Sequence, residues 1–83
     1  ASAPVSQPSA LDQTIQRAQV ALRRTPENAP LWAQLGASYV EKARVSGDPI
    51  YYGQAQGALE RWLAVEPDGN GEALIGLGQL ANA

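Results

Sequence analysis

Two residue types that often carry chemistry are missing from this chain of 83 residues, which has no cysteine and no histidine. Without cysteine there is no disulfide, thiolate metal site or cysteine nucleophile. Without histidine the chain lacks the commonest general base and the commonest metal ligand. The net charge is only −2, with both signs mixed along the chain, which argues against a phosphate-binding surface and hence against nucleic acid as partner. No apolar run approaches the roughly 20 residues that span a bilayer, so we expect no membrane insertion.

Along most of the chain, apolar residues recur at helical spacing. Residues that typically begin or end a helix separate these segments. Residues 1–9 are mainly Ala, Ser, Pro and Gln, which predicts a flexible lead-in. The rest, residues 10–83, is predicted to be one all-α domain. Its four helices are expected at about 10–24, 29–45, 49–66 and 72–82, with Ser9, Asn28 and Asp48 as caps and Pro49 as the first residue of the third helix.

The most informative stretch is Trp32–Tyr39, which reads W-x2-L-G-x2-Y. On a helix, Trp32, Leu35, Gly36 and Tyr39 share one face. A glycine inside a helix costs roughly 0.5–1 kcal/mol relative to alanine. We therefore expect a neighbouring helix to lie close over Gly36.

This pattern resembles helix A of a tetratricopeptide repeat, and Ala55-x3-Leu59 followed by Pro67 resembles helix B and its closing proline. The separation of Tyr39 and Ala55 is about seven residues longer than in the family, or about two helical turns, which one extra turn on each helix would absorb. The first predicted helix then resembles a preceding helix B, and the fourth, with Leu77-Gly78, a following helix A. The resemblance implies an α-solenoid fragment of antiparallel helix pairs in the order B, A, B, A.

The resemblance also implies a function, because arrays of this family bind peptides or partner proteins on the surface lined by their A helices. The positions that would form this groove are Ala33, Ala37, Val40 and Glu41 in the second helix and Glu72, Ile75, Gln79 and Asn82 in the fourth. Family members that clamp an acidic C-terminus use Lys and Asn at positions held here by Ala33 and Ala37. A neutral floor of small residues is better suited to an apolar helix or extended segment.

The fourth helix is nearly uncharged and carries an apolar stripe that includes Leu74, Leu77 and Leu80. A repeat helix cannot bury its apolar face alone, and an exposed apolar patch usually marks an interface. We therefore expect a piece of a longer array that self-associates through this edge. Exchange of an end helix between copies and poor order of the fourth helix are alternatives.

No arrangement of residues indicates catalysis, so we predict a non-enzymatic scaffold without metal or cofactor. Carboxylates cluster near Asp68–Glu72, but without the twelve-residue ligand spacing of an EF-hand they are interpreted as turn formers and caps. Aromatic residues at helical spacing are interpreted as core, with a stacking platform as the alternative; they are Trp32, Tyr39, Tyr51, Tyr52 and Trp62. A domain of an exported-protein or cytochrome maturation machine and a regulatory domain of a larger enzyme are alternative functions, and a simple helical bundle is the alternative fold. Cytoplasmic and extracytoplasmic locations both stay open.

Overall fold

The computed structural model describes residues 9–81, which form four α-helices and no strand, so the predicted all-α class is confirmed. The helices are α1 (Ala10–Arg24), α2 (Ala29–Ser46), α3 (Ile50–Val65) and α4 (Gly71–Ala81). Their ends differ from the predicted ends by at most one residue. The predicted lead-in, apart from Ser9, and predicted helix residue 82 lie outside the described residues. Each helix packs against its neighbour in the chain.

Three of the helices begin at a polar side chain that caps the first turn. The side-chain oxygens of Ser9, Asn28 and Asn70 each accept a hydrogen bond from the backbone N–H three residues further on, at 3.1, 3.3 and 3.0 Å. Such a bond satisfies one of the donors that a helix leaves unpaired at its N-terminus. Ser9 and Asn28 were predicted in this role, whereas Asn70 had been assigned only to a turn.

The start of α3 differs from the prediction. Pro49 is the capping residue and not the first helical residue, and Ile50 begins the helix. Proline offers no side-chain acceptor, and the Oδ1 of Asp48 instead accepts the Ile50 N–H at 3.1 Å. Asp side chains commonly form this bond two residues along a turn. The preceding Gly47 has φ +71°, a left-handed conformation that glycine adopts without steric cost.

The connection between α1 and α2 has nearly the same backbone conformation at its start as the connection between α3 and α4. The residue that ends the first helix of each pair is Thr25 (φ −130°, ψ 74°) or Glu66 (φ −133°, ψ 72°). A proline follows each of these residues, and an asparagine caps each following helix. Thr25 and Glu66 are 41 residues apart, and Asn28 and Asn70 are 42 apart. The chain therefore contains an internal repeat of a helix–turn–helix unit with a period of 41–42 residues.

The α1–α2 contact is part apolar and part polar. One stripe of α1, Ile15, Ala18 and Leu22, is buried in the core. Beside it, Lys42 Nζ of α2 lies 2.7 Å from Asp12 Oδ1 of α1. The hydrogen bond from Lys42 lowers the pKa of the Asp12 carboxyl, and the same bond raises the pKa of Lys42. A second polar link joins the helices where Gln19 Nε2 donates to the hydroxyl of Tyr39.

The α2–α3 contact is the tightest part of the structure. A Cβ added at Gly36 would lie 2.9 Å from Leu59 Cδ2, closer than real Cβ contacts occur, so the expectation of a helix lying over this glycine is confirmed. Further along, the rings of Tyr39 and Tyr51 stack with centroids 6.4 Å apart. Helix α2 has 18 residues and α3 has 16, so the two helices are of similar length. The apolar faces of the two helices stay in contact along the pair.

Candidate functional site

A groove runs between α2 and α4, with α3 beneath it. It encloses about 300 Å³ and takes its lining from all three helices. We call it the α2–α4 groove. Its lining residues are Ala33, Gly36, Ala37, Val40, Glu41 and Arg44 from α2, Leu59 and Trp62 from α3, and Gly76 and Gln79 from α4.

The floor of the groove is one leucine held between two glycines. Leu59 is 6% exposed, and its Cδ2 and Cδ1 lie 2.9 and 3.0 Å from the positions that a Cβ would occupy at Gly36 and Gly76. Side chains at those positions would overlap Leu59, so either Leu59 or the helices would have to shift. The two glycines therefore let both helices come close to α3 and keep the floor small and apolar.

The rim of the groove carries charges that neutralise each other. Arg44 Nη1 lies 2.9 Å from Glu41 Oε1, one turn earlier on α2. The indole N–H of Trp62 donates to Glu66 Oε1 at 3.1 Å. Within residues 9–81 the lining thus has one acid and one base, which pair with each other, and no concentrated charge of either sign.

The structure brings together five of the residues predicted to line a groove: Ala33, Ala37, Val40, Glu41 and Gln79. Ile75 is 62% exposed and lies outside the lining, and Asn82 lies outside the described residues. Glu72, at the start of α4, is exposed and also outside the lining.

Sequence reasoning missed five lining residues: Gly36, Arg44, Leu59, Trp62 and Gly76. Gly36 and Leu59 were assigned only to packing, and Trp62 to the core with a stacking platform as the alternative. Arg44 and Gly76 received no role. The signal that could have identified Gly76 is the cost of a helix-interior glycine, the argument applied to Gly36. In the fourth helix the sequence pattern singled out Gly78 instead, and an added Cβ at Gly78 has nothing within 4 Å.

The three leucines predicted to form an exposed apolar edge on α4 differ in burial. Leu74 is 58% exposed, Leu77 is half-buried, and Leu80 packs against the core. The outward side of α4 is therefore formed by Leu74, Ile75 and Gly78, with Leu80 turned inward. No other helix among residues 9–81 covers this side near Gly78.

A second hollow lies on the outer side of α1. It encloses about 570 Å³, and among residues 9–81 its lining comes from α1 and the residue that follows it: Gln13, Gln16, Arg17, Val20, Ala21, Arg24 and Thr25. One helix cannot surround a ligand, whereas the α2–α4 groove has three helices around it. The groove is the better candidate for a binding site.

Other kinds of site find little support in the described residues. Within residues 9–81, no group of three or more acidic, cysteine or histidine side chains could hold a metal ion, and no helix is both long and apolar enough to cross a membrane. Asn70, in the predicted acidic turn, is buried and caps α4. Tyr39 and Tyr51 stack on each other between helices, and Trp32 is half-buried with its indole N–H donating to the Pro26 carbonyl at 2.7 Å.

Comparison with protein-family models, curated proteins and solved structures finds no match to this chain.

Proposed function

We propose that this chain is a protein-interaction module of tetratricopeptide type, which holds an apolar helix or extended segment of a partner protein in the α2–α4 groove. The observation that carries the proposal is the groove itself. It lies where the resemblance to the family puts its binding surface, and five of the predicted positions line it.

The chemistry of the lining selects the kind of partner. Ala33, Ala37 and Val40 offer small apolar side chains along α2, and Leu59 closes the floor between two glycines. An amphipathic helix binds by laying its apolar face into such a groove, with anchors spaced three and four residues apart. A volume of about 300 Å³ is at the lower limit for small-molecule pockets, and it holds a few side chains of a larger partner.

The rim argues against an acidic partner terminus. Capture of a carboxylate needs cationic donors that are free to bind it. Among the described lining residues the cation is Arg44, and it is paired with Glu41. A partner segment that is apolar on one face and uncharged near the rim therefore fits best.

The test fills the groove without disturbing the core. Ala37 is exposed on α2 within the lining, so Ala37→Trp blocks the groove. Ala64, exposed on α3 outside the lining, gives the matched control Ala64→Trp. Peptides selected against the wild-type chain from a displayed random library are then measured by fluorescence anisotropy. We expect Ala37→Trp to weaken their binding at least about tenfold, or about 1.4 kcal/mol, and Ala64→Trp to leave it within about twofold.

Two outcomes count against the proposal. One is a library that yields no binder. The other is a set of binders that lose equal affinity with both variants or with neither, since their contacts would then lie outside the groove. Circular dichroism of each variant verifies that the helices are intact.

A further inference from the structure

Two exposed helix sides at opposite ends of the chain are complementary. One is the outward side of α4, with Leu74 and Gly78, and the other is the outer side of α1, with Arg17, Val20 and Arg24. We propose that a second copy of this chain covers α4: α4 of one molecule packs on the outer side of α1 in the next, in the same way as α2 packs on α3 within one molecule.

The internal repeat gives the register of this contact. The end of α1 matches the end of α3 after a shift of 41 residues, and the cap of α2 matches the cap of α4 after a shift of 42. These shifts assign a counterpart on α4, or on the α1 of another molecule, to each position of the α2–α3 contact, and the counterpart of Leu59 is the small, buried Ala18. This inference does not depend on the groove, because it uses different surfaces.

The first equivalent contact joins two exposed apolar side chains. Within the molecule, the Arg61 guanidinium lies 5.9 Å from the centre of the Trp32 ring. The shift of 41 residues takes Arg61 to Val20, and the shift of 42 takes Trp32 to Leu74, so the proposed contact puts Val20 and Leu74 opposite each other. These are large apolar residues that are 47% and 58% exposed in the single molecule. Burying both against each other removes apolar surface from water, which favours association.

The second equivalent contact fills an empty notch, which is the space that a helix glycine leaves because it has no side chain. Gly36 is covered by Leu59 and by Ala58, whose Cβ is 3.8 Å from the added Cβ position. The matching glycine of α4, Gly78, has nothing within 4 Å. The residue that takes the place of Ala58 is Arg17, and its aliphatic stem can lie over Gly78 while its guanidinium stays in water.

Charge favours a second copy as the occupant. The register puts the N-terminal end of α4 beside the C-terminal end of α1 in the next molecule. Glu72 and Asp68 lie at the first of these ends, and Arg23 and Arg24 at the second. Within residues 9–81, none of these four side chains forms an ion pair. Opposite charges across a contact steer association and fix its register.

A contact between two different surfaces is heterologous, and an assembly that does not close into a ring keeps one free α1 and one free α4 at its ends. Copies therefore add head to tail. We expect the average mass to rise with concentration above the 8.7 kDa of the single chain. The rise weakens with added salt, because the exposed charges are screened.

The test blocks one end at a time. Leu74→Arg places a cation opposite the arginines of α1, and Val20→Glu places an acid opposite Glu72 and Asp68. The mass of each variant and of their equimolar mixture is measured by sedimentation over a range of concentrations. Val45→Arg is the matched control, since Val45 is 66% exposed on α2 but outside the proposed contact.

We expect each blocked variant to stay a monomer, and the mixture to associate, because one variant supplies an unaltered α4 and the other an unaltered α1. Val45→Arg associates like the wild type. A monomeric wild-type chain at all concentrations overturns the proposal. So does a Val20→Glu variant that dimerises like the wild type while Leu74→Arg does not, because α4 would then be pairing with α4.

Discussion

Helices α2 and α4 carry the same Leu-Gly pair at matching positions of the repeat, yet their surroundings differ. Around Gly36 the notch is filled, because Leu59 of the next helix lies where a side chain would be. Around Gly78 the notch is open. The pattern therefore defines a face that can accept a close neighbour, and only the next helix makes it a core. Stability should concentrate at the filled notch.

The largest effect is expected from removing the side chain that fills the notch. Leu59→Ala deletes a residue that is 6% exposed and lies between Gly36 and Gly76. Because glycines flank it, neither of these two neighbours has a side chain to fill the space. We expect a loss of about 2–5 kcal/mol in the free energy of unfolding, measured by urea denaturation.

The control for this prediction is Leu74→Ala at the open side of α4. Leu74 is 58% exposed, so its truncation should change the free energy of unfolding of the monomer by no more than about 0.5 kcal/mol. Similar losses at the two leucines would mean that the two helices are equally packed, and the comparison would fail. The measurement is made at the lowest usable protein concentration so that association does not contribute.

Adding a methyl group at each glycine should give effects of opposite sign. Gly78→Ala adds a side chain in open space, so the helix propensity of alanine should raise the free energy of unfolding by up to about 1 kcal/mol. Gly36→Ala places its Cβ 2.9 Å from Leu59, which is held on its other side by Gly76. Overpacking of about 1–3 kcal/mol should exceed the propensity gain and leave a net loss.

Gly57→Ala is the control, since Gly57 lies within α3 and its added Cβ meets nothing within 4 Å. It should behave like Gly78→Ala. If Gly36→Ala stabilises the chain as much as Gly57→Ala does, Leu59 is free to move aside and the notch is not tightly packed. Thermal or urea unfolding of the three variants decides between these results.

Local signals were enough to predict the helices and the close approach at Gly36. The caps Ser9 and Asn28 and the left-handed turn at Gly47 follow from residue types at particular positions. The floor of the groove could not be derived in this way. Leu59 was expected to belong to the scaffold, and it does, but its exposed edge also closes the groove. That double role depends on how closely α2 and α4 pack on α3, and the sequence of one helix alone does not specify this distance.

The role of Gly76 shows a second limit. The repeat pattern directed attention to Gly78, which matches Gly36 in sequence, whereas Leu59 touches Gly76, two residues earlier. The reason is geometric. Gly36 faces the helix that follows α2, whereas Gly76 faces the helix that precedes α4. A pattern that aligns two helices identifies the same face of each, and the face toward the preceding helix needs its own argument.

The two ends of the molecule also differ in the chemistry of their contacts. An ion pair between Asp12 and Lys42 and a hydrogen bond between Gln19 and Tyr39 link α1 to α2. Among residues 9–81, the ion pairs lie within α2 or between α1 and α2, and none joins α3 to α4. The contact of α4 with α3 rests on apolar packing around Leu59. A change of pH that titrates this ion pair should therefore weaken the packing of α1 on α2 and leave the packing of α4 on α3 unchanged.

The smallest predicted effect is this pH dependence. The hydrogen bond from Lys42 holds the pKa of Asp12 below its usual value, and Asp12 holds the pKa of Lys42 above its usual value. The lowered pKa means that the contribution of Asp12 is complete above about pH 4 and is lost as the pH falls through the folded-state pKa. The raised pKa means that the contribution of Lys42 is complete below about pH 10 and is lost as the pH rises further.

The measurement is amide hydrogen exchange along α1 and α4, corrected for intrinsic rates, in the wild type and in Asp12→Asn. At pH 6 the variant should expose α1 amides more often than the wild type. The difference should vanish as the pH falls through the lowered pKa of Asp12, because the wild-type carboxyl then becomes neutral like the amide of the variant. Asp12 also lies in the first turn of α1, where a negative charge is favourable on its own. Repeating the comparison with Lys42→Met separates the two contributions: if the ion pair dominates, Asp12→Asn has little further effect in that background. A difference that persists at low pH, or one that appears in α4, would show that Asp12 stabilises the molecule by some means other than its charge on the α1–α2 contact.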